Sequence, residues 1–357
     1  MTAADAGASS VPAVGEPGII TVGLSAPYTP AAAGTGTDDY RCFLIPTGAL
    51  DDRFITGVRF SPGNPAVVHH AILYRVDPSQ VSAAEARDAK DPGEGWSCFG
   101  GPDLPAAADS DALGALQGAP WLAAWAPGGR ESRYPEGTGV YIAKGSSVIL
   151  QVHYNLLAGN GPDETKVELR TVPGTAGLTA LQTYLLPAPV ELPCPADQSG
   201  PLCDRQASIN DTIQRFGGEA LRTIWGLQFM CGGKLSEPKA GPTQSCTRPI
   251  TKDMTVYAAA GHMHLLGRAI TIVSNPGTDR EKTLLSIDNW NFDNQGAIPL
   301  AKPVPLRSGD TIKVTCTHDA GLREKLPSFA GIPPRYVTWG EGTTDEMCLG
   351  KIGRAHV

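Results

Sequence analysis

The amino-acid sequence predicts an all-β protein made of antiparallel β-sandwiches. Gly and Pro are abundant, at 42 and 31 of 357 residues, whereas charged residues make up only 18%. This composition favours short strands joined by turns over a helical protein. Predicted strands and turns succeed one another without the strand–helix alternation of a parallel sheet. The length is sufficient for two domains with separate hydrophobic cores.

The order of the predicted strands indicates how the chain is divided. The first part is rich in Ala, Gly, Pro and Thr and has one apolar run, Gly18–Val22. A domain boundary is expected near Pro187-Ala188-Pro189, and the apolar run 222–230 beyond it is interpreted as a strand. The expected divisions are a mobile N-terminal segment over 1–37, a first domain over 38–187, a second domain over 188–350 and a tail over 351–357.

Charge and hydropathy exclude several classes of protein. The formal net charge is −7 and no basic patch is evident in the sequence, which argues against a nucleic-acid partner. No apolar run approaches the ~20 residues that a membrane-spanning helix requires. The sequence begins Met-Thr-Ala-Ala-Asp, without the charged and apolar parts of a leader. An exported form would therefore already have lost its signal peptide.

The cysteine content predicts a secreted or periplasmic protein. The cysteines are even in number and none lies in a Cys-x-x-Cys pair. In a β-rich chain this pattern is typical of disulfides formed in an oxidising compartment. The alternative, buried free thiols in a cytosolic protein, stays open at this point. The eight residues are Cys42, Cys98, Cys194, Cys203, Cys231, Cys246, Cys316 and Cys348.

Five of the seven histidines lie in three short motifs that could hold metal ions. His262 and His264 form a His-x-His motif after an apolar run, and alternate residues of a strand share one face. Two imidazoles on one face provide half of a metal site. The alternative is a pair of half-buried strand histidines without a ligand role.

The other two motifs give a less regular pattern. His69 and His70 are adjacent, so on a regular strand they would point to opposite faces. Both can reach one metal only if the strand is twisted or bulged there, or if their rings use different nitrogens. His153 lies in a further apolar strand, where a lone histidine is more often a core residue than a ligand. Gln151 shares the face of His153 and could orient a ligand or a bound water.

Met347 is the candidate for a sulfur ligand. It follows an acidic, Gly-rich turn, and a thioether is a soft ligand suited to Cu(I). A His/His/Met set therefore favours copper over zinc. Most methionines fill hydrophobic cores. Met263 alternates away from the neighbouring histidines, and Met230 and Met254 lie in apolar runs that are interpreted as strands.

Together these motifs resemble those of the copper type II, ascorbate-dependent monooxygenases, the family of peptidylglycine α-hydroxylating monooxygenase and dopamine β-monooxygenase. The resemblance covers roughly residues 38–350 and implies a fold of two jelly-roll-like β-sandwiches. The shared motifs, in the family's order, are His-His at 69–70, Gln-Val-His-Tyr at 151–154, His-x-His-Leu-x-Gly at 262–267 and Asp-Glu-Met-Cys at 345–348.

The resemblance implies two copper ions with different ligands. The implied ligands are His69, His70 and His153 for an electron-transfer copper in the first domain, and His262, His264 and Met347 for an oxygen-binding copper in the second. The resemblance also implies two disulfides, Cys42–Cys98 and Cys316–Cys348, of which the second would fix the position of the sulfur ligand. Cys194–Cys203 and Cys231–Cys246 are paired by proximity alone, so other connectivities stay open.

The activity implied by the resemblance is hydroxylation of a C–H bond in a small organic substrate by O2, with ascorbate or another one-electron donor. The metals would carry the chemistry, so no side chain beyond the ligands is expected to be catalytic. A zinc hydrolase is disfavoured because no Glu lies beside either His motif as a base.

Two positions depart from the peptide-hydroxylating members of the family. Those members have an Arg two residues before His-x-His, which holds the substrate carboxylate, and a Tyr four residues after the Met ligand. Here the two positions are Ala260 and Lys351. These departures argue against a peptidylglycine substrate. They also leave open an alternative, a secreted copper-binding protein of the same fold without monooxygenase activity.

Overall fold

The protein divides into two compact units. A computed structural model describes residues 15–32, 37–98, 101–105, 120–157, 159–234, 236–292, 294–342 and 344–356. The first unit ends at Gln182 and the second begins at Thr183. This division precedes the Pro187-Ala188-Pro189 stretch because the strand Gln182–Ala188 pairs with a strand of the second unit.

The first unit is an antiparallel β-sandwich. Its elements are β1 (Gly18–Gly23), β2 (Asp38–Pro46), β3 (Arg53–Ser61), β4 (Val68–Val76), a short 3-10 helix (Pro78–Gln80), α1 (Val81–Asp88), β5 (Trp96–Ser97), β6 (Trp121–Trp125), β7 (Ser132–Arg133), β8 (Thr138–Ile142), β9 (Ser147–Asn155), β10 (Lys166–Pro173) and β11 (Thr179–Ala180). One sheet has the order β5-β2-β9-β4-β6. The other has the order β1-β10-β3-β8-β11, with β7 beside β3.

Strand β9 shows how the first unit distributes its side chains. Leu150, Val152 and Tyr154 are fully buried in the main hydrophobic core. The alternate residues of β9 point to the opposite face of the sheet, where Ile149 packs with Trp96 in a second, smaller apolar cluster. His153 is on this second face, which therefore carries the histidines.

Part of the segment that was expected to be mobile is a strand. Ile20 and Val22 of β1 are buried, and β1 pairs along its whole length with β10. The expectation was wrong for these residues because the partner strand lies far away in the sequence. Residues 1–14 and 33–36 of the same segment lie outside the described residues.

The second unit is also a sandwich of antiparallel sheets. Its elements are β12 (Gln182–Ala188), β13 (Glu191–Leu192), a 3-10 helix (Pro201–Cys203), α2 (Arg205–Phe216), α3 (Gly218–Met230), β14 (Thr243–Pro249), β15 (Met254–His262), β16 (Gly267–Ser274), β17 (Lys282–Ile287), β18 (Ile298–Leu306), β19 (Thr311–His318), 3-10 helices at Ala320–Glu324 and Pro327–Phe329, β20 (Val337–Thr338) and β21 (Cys348–His356). The sheets have the orders β12-β21-β15-β18 and β14-β19-β16-β17, and β13 pairs with β20. The all-β fold class is thus confirmed.

Two expectations about the second unit need correction. The apolar run 222–230 is the greater part of helix α3, so Met230 ends a helix and not a strand. Residues 351–356 are not a tail, because β21 continues through them and pairs with β15 as far as Met254. Ile352 in this part is fully buried. Val357 lies outside the described residues.

The eight cysteines form four disulfides. The pairs are Cys42–Cys98, Cys194–Cys203, Cys231–Cys246 and Cys316–Cys348. They are the pairings that resemblance and proximity indicated. Each closed loop should stabilise the fold by about 2–4 kcal/mol. No helix among the described residues is long and apolar enough to cross a membrane.

The two sheets of the second unit approach each other closely beside the His-x-His motif. Gly261 of β15 and Gly350 of β21 are register partners. A Cβ atom at Gly261 would lie 2.7 Å from Cγ2 of Ile270, and one at Gly350 would lie 2.9 Å from Cδ1 of Ile272. Both glycines therefore face the opposite sheet, and neither position has room for a side chain.

We predict that Gly261→Ala lowers the free energy of unfolding by about 1–3 kcal/mol, because the added methyl group overpacks the contact with Ile270. The control is Gly226→Ala in α3, where a Cβ would meet nothing within 4 Å. That change should raise the free energy of unfolding by about 0.5–1 kcal/mol. Urea unfolding followed by far-UV circular dichroism measures both. Equal midpoints for Gly261→Ala and the unchanged protein would contradict the close approach.

Candidate metal centres

A β-bulge brings the two adjacent histidines to one side of strand β4. Val68 pairs with Tyr154 and His70 pairs with His153, so β4 has one residue more than β9 in this interval. A bulge bends the strand and re-aims the extra side chain. The extra residue here is His69. The strand thus has the irregularity that two neighbouring ligands of one metal require.

The three histidines of the first unit form a compact nitrogen cluster. The Nδ1 atom of His70 lies 3.1 Å from Nδ1 of His153 and 3.3 Å from Nδ1 of His69. Ligand atoms of the three rings all lie within 4.8 Å of one another. Nitrogen ligands bind first-row metal ions at about 2.0–2.1 Å, which puts neighbouring ligands about 3 Å apart. The residues therefore fit a copper ion held through three Nδ1 atoms.

Asp38 fixes the tautomer and orientation of His153. Nε2 of His153 lies 2.7 Å from Oδ1 of Asp38, and the ring stacks on Tyr40 at a centroid distance of 4.1 Å. A proton on Nε2 that is donated to the carboxylate leaves the Nδ1 lone pair for a metal. Although burial alone would raise the pKa of Asp38, hydrogen bonds from His153 and Asn155 hold that pKa below its usual value.

Gln151 is buried, and its hydrogen bonds are with other residues. Its Nε2 donates to the carbonyl oxygen of Cys98 at 2.7 Å, and its Oε1 accepts from the hydroxyl of Tyr74 at 3.3 Å. These bonds hold the disulfide-bonded segment against the sheet. The expected role of Gln151 in orienting a ligand or a water stays a prediction. The carboxylate that orients His153 is Asp38, which the sequence analysis missed.

The two histidines of the second unit present the other ring nitrogen. Nδ1 of His262 lies 2.5 Å from Oε1 of Gln295, and Nδ1 of His264 lies 3.2 Å from the carbonyl oxygen of Asp345. Since both partners are acceptors, each Nδ1 carries the proton and each Nε2 is the nitrogen with the lone pair. The ring centroids are 5.2 Å apart. Gln295 is fixed in turn by donating to the carbonyl oxygen of Phe292.

Strand alternation places His262 on the face of its sheet that points away from the opposite sheet. Gly261 and Gly350 face the opposite sheet, as their close approach to isoleucines shows. The next register pair, His262 and Leu349, therefore points to the other side. A bulge between Val256 and Ala258 precedes this part of β15. The strands that carry the His-His and His-x-His motifs, β4 and β15, thus each have a bulge.

Met347 lies between two residues that are both tied to β19. Cys348 is bonded to Cys316, and Oε2 of Glu346 lies 3.3 Å from Nε2 of His318. Cys316 and His318 are alternate residues of β19, so they share its inward face. Because both neighbours point inward, alternation along an extended chain predicts that Met347 points to the side of His262. We call Glu346, Cys348, Cys316 and His318 the β19 clamp.

The same glutamate also holds the turn that contains His264. Glu346 is fully buried and accepts hydrogen bonds from the backbone N–H groups of His264, at 3.1 Å, and Leu266, at 2.6 Å. One carboxylate therefore connects the histidine turn to the residue before Met347. His318, which lies outside the three histidine motifs, is the partner that offsets the buried charge. Met263, by contrast, is fully buried and packs on Gly267.

Comparison with known protein families agrees with this arrangement. The N-terminal domain of copper type II ascorbate-dependent monooxygenases matches residues 31–160, and the C-terminal domain of the same family matches residues 238–352. The chain belongs to the copper type II ascorbate-dependent monooxygenase family.

Similarity to solved structures is weak. PNGF-II is 9% identical with a TM-score of 0.36, covering 95% of this chain and 66% of that protein. An allantoicase is 11% identical with a TM-score of 0.20, covering 92% of this chain and 91% of that one. The VP2 subviral particle of infectious bursal disease virus is 8% identical with a TM-score of 0.22, covering 98% of this chain and 75% of that one.

We predict that Asp38→Asn weakens copper binding at the first centre by about 10- to 100-fold, because a neutral amide no longer favours the required tautomer of His153. Competition with a chromogenic chelator measures the affinity. The control is Asp77→Asn, which removes a carboxylate from an ion pair with Arg75 elsewhere in the same unit. An unchanged affinity for Asp38→Asn would show that the carboxylate does not orient the ligand.

We predict that Glu346→Gln weakens Cu(I) binding at the second centre by about 10- to 100-fold and lowers the free energy of unfolding by about 3–5 kcal/mol, because it removes one partner of a buried charged pair. Copper X-ray absorption reports the sulfur ligand, and its signal should decrease. Glu237→Gln, at an exposed partner of Lys234, is the control. Sulfur scattering as strong as in the unchanged protein would contradict the role of the β19 clamp.

Proposed function

We propose that the protein is a copper-dependent monooxygenase that hydroxylates a C–H bond of a small organic substrate. The co-reactants are O2 and an ascorbate-type reductant, and the reaction uses two mononuclear copper centres. In this reaction one oxygen atom enters the C–H bond. The other becomes water at the expense of two electrons and two protons. Family membership supports the reaction class.

The observation that carries the proposal is the difference between the two donor sets. The first unit offers three imidazole nitrogens that lie within bonding range of one ion. The second unit offers the imidazoles of His262 and His264, and alternation along the chain supports a position for Met347 on the side of His262. A thioether is a soft ligand that favours Cu(I), the form that reacts with O2. Bound copper would supply the one-electron and oxygen chemistry, and the protein supplies position and orientation.

The described side chains divide the positioning work between them. Asp38 and Gln295 orient one histidine in each centre through the nitrogen that does not face the metal. Glu346 holds the turn of the second centre and the approach to Met347. None of these residues needs to gain or lose a proton during the reaction.

We further propose that the protein acts in an oxidising compartment, as a secreted or periplasmic protein. Its four disulfides support this location, because disulfides are rare where glutathione and thioredoxin keep thiols reduced. We also propose that its substrate is not a peptide ending in glycine, because Ala260 and Lys351 stand where peptide-hydroxylating members have Arg and Tyr.

We predict that the copper-reconstituted protein binds two copper ions, and that Met347→Ala and His153→Ala each reduce the number to about one. Elemental analysis after removal of free metal gives the stoichiometry. Met347→Ala should also abolish ascorbate-dependent oxygen uptake, because it removes the soft ligand of the second centre. Met263→Leu, a volume-conserving change in the adjacent core, is the control and should keep two ions and full activity.

Two results would contradict the proposal. One copper or none in the unchanged protein would show that the donor sets do not form two centres. Two coppers without any hydroxylated product, over a range of small substrates supplied with ascorbate and O2, would favour a copper-binding protein of the same fold.

A further inference from the structure

Helices α2 and α3 lie outside both regions that match the family. The matched regions are residues 31–160 and 238–352, whereas the two helices lie within residues 205–230. A disulfide lies at each end of this segment, Cys194–Cys203 before α2 and Cys231–Cys246 after α3. Family membership does not indicate what the helices do, so their role has to be inferred from their contacts with the rest of the second unit.

An ion pair joins α2 to the segment that carries Met347. Arg215, in the last turn of α2, donates from both terminal nitrogens of its guanidinium group to Asp345, at 2.9 Å to Oδ1 and 3.2 Å to Oδ2. Its Nε donates to Asp211, one turn earlier in α2, at 3.0 Å. Asp211 also accepts a hydrogen bond from Arg335 at 2.7 Å. The guanidinium group is therefore fixed on two sides, by its own helix and by Asp345.

The carboxylate of Asp345 is enclosed by the backbone around it. Asp345 is buried. A Cβ atom at Gly340 would lie 2.7 Å from Cβ of Asp345, and one at Gly342 would lie 2.8 Å from its Oδ2. The backbone N–H of Asp345 donates to the carbonyl oxygen of Gly342 at 2.8 Å. Loss of Arg215 would leave this buried negative charge without its ion-pair partner, which favours a rearrangement of the segment.

The backbone of Asp345 contacts a proposed ligand of the second centre. Its carbonyl oxygen accepts a hydrogen bond from Nδ1 of His264 at 3.2 Å. The next residue, Glu346, accepts from the backbone N–H of His264. Helix α2 is thus connected to the imidazole of His264 in two steps, through the side chain of Asp345 and then through its carbonyl group.

We propose that Arg215 is a positioning residue for the second centre. It holds Asp345 so that the carbonyl group keeps His264 in the Nδ1–H tautomer, in which Nε2 has the lone pair. An accepted hydrogen bond also raises the basicity of an imidazole, which stabilises bound Cu(II) more than Cu(I). The inference rests on the proposed function of this centre and goes beyond it, because it assigns a role to a helix outside the matched regions.

The tautomer of His264 can be measured in the metal-free protein. Nitrogen-15 NMR of histidine-labelled protein at about pH 8, where imidazoles are neutral, distinguishes the two tautomers, and His264→Asn assigns the signal. The unchanged protein should show the Nδ1–H form. Arg215→Met should shift His264 to a mixture of both tautomers, and Arg215→Lys, which keeps the charge without the two-nitrogen contact, should shift it less.

The copper-loaded protein gives a second measurement that does not depend on activity. In a His153→Ala background, Arg215→Met should weaken Cu(II) binding about tenfold relative to Cu(I). This loss corresponds to a rise of about 59 mV in the reduction potential, measured by redox titration followed by electron paramagnetic resonance. If Arg215 acts through Asp345, adding Arg215→Met to Asp345→Asn should have little further effect on the potential.

The matched control is Arg205→Met, in the same helix. Arg205 makes a similar two-nitrogen contact with the buried carboxylate of Glu191, at 2.7 and 2.6 Å. Its loss should lower the free energy of unfolding and leave both the tautomer of His264 and the potential unchanged.

Three results would show that the inference is wrong. They are an unchanged tautomer of His264 in Arg215→Met, an unchanged potential in that variant, or equal shifts in Arg205→Met. If Arg215→Met does not fold, Arg215→Lys decides in the same way. A second centre that binds no copper in the unchanged protein would contradict the proposed function, whereas the metal-free measurement would still test Arg215.

Discussion

The β19 clamp is the constraint on which the second centre depends. Methionine is an adaptable side chain with three rotatable bonds, and a thioether is a weak ligand. Its backbone must therefore be fixed by other interactions. Here a disulfide holds the residue after Met347 and a buried Glu–His pair holds the residue before it. Because Glu346 also binds the backbone of the His264 turn, one residue connects that turn to the backbone beside Met347.

Each proposed centre has a histidine whose other ring nitrogen is hydrogen-bonded, and the first also has a backbone bulge. A regular strand could not present His69 and His70 to one ion, and the bulge in β4 resolves this conflict. Asp38 and Gln295 then select which nitrogen of His153 and His262 carries the proton. Neither orienting residue is among the proposed ligands, yet each favours one tautomer of a proposed ligand.

Much of this arrangement could be predicted from the sequence, and the parts that could not have a physical explanation. Short motifs with side chains of distinctive chemistry, such as His-x-His and Asp-Glu-Met-Cys, can be recognised from a few neighbouring residues of the sequence. Asp38 is 115 residues from His153 and Gln295 is 33 residues from His262, so no local spacing indicates them. Helix α3 was missed because Thr223, Ile224 and Trp225 favour strands, although packing and its position after α2 make it helical. Strand β1 was expected to belong to a mobile segment for a related reason. Its stability comes from pairing with β10, which is distant in the sequence.

The choice of ring nitrogen separates the two centres in a way that suits their proposed roles. Nδ1 is bonded to Cγ, the ring carbon that carries Cβ. An ion bound by three Nδ1 atoms would therefore lie close to its strands and would be held rigidly. Nε2 is on the far side of the ring, so an ion bound there stands further from the sheet. A rigid centre with nitrogen ligands needs little rearrangement when it gains or loses an electron. A centre held away from the sheet, with a soft sulfur ligand, leaves space for O2 and a substrate. If the two ions bind as proposed, the hydrogen bonds to Asp38, Gln295 and the Asp345 carbonyl would determine, through the choice of ring nitrogen, how far each ion lies from its sheet.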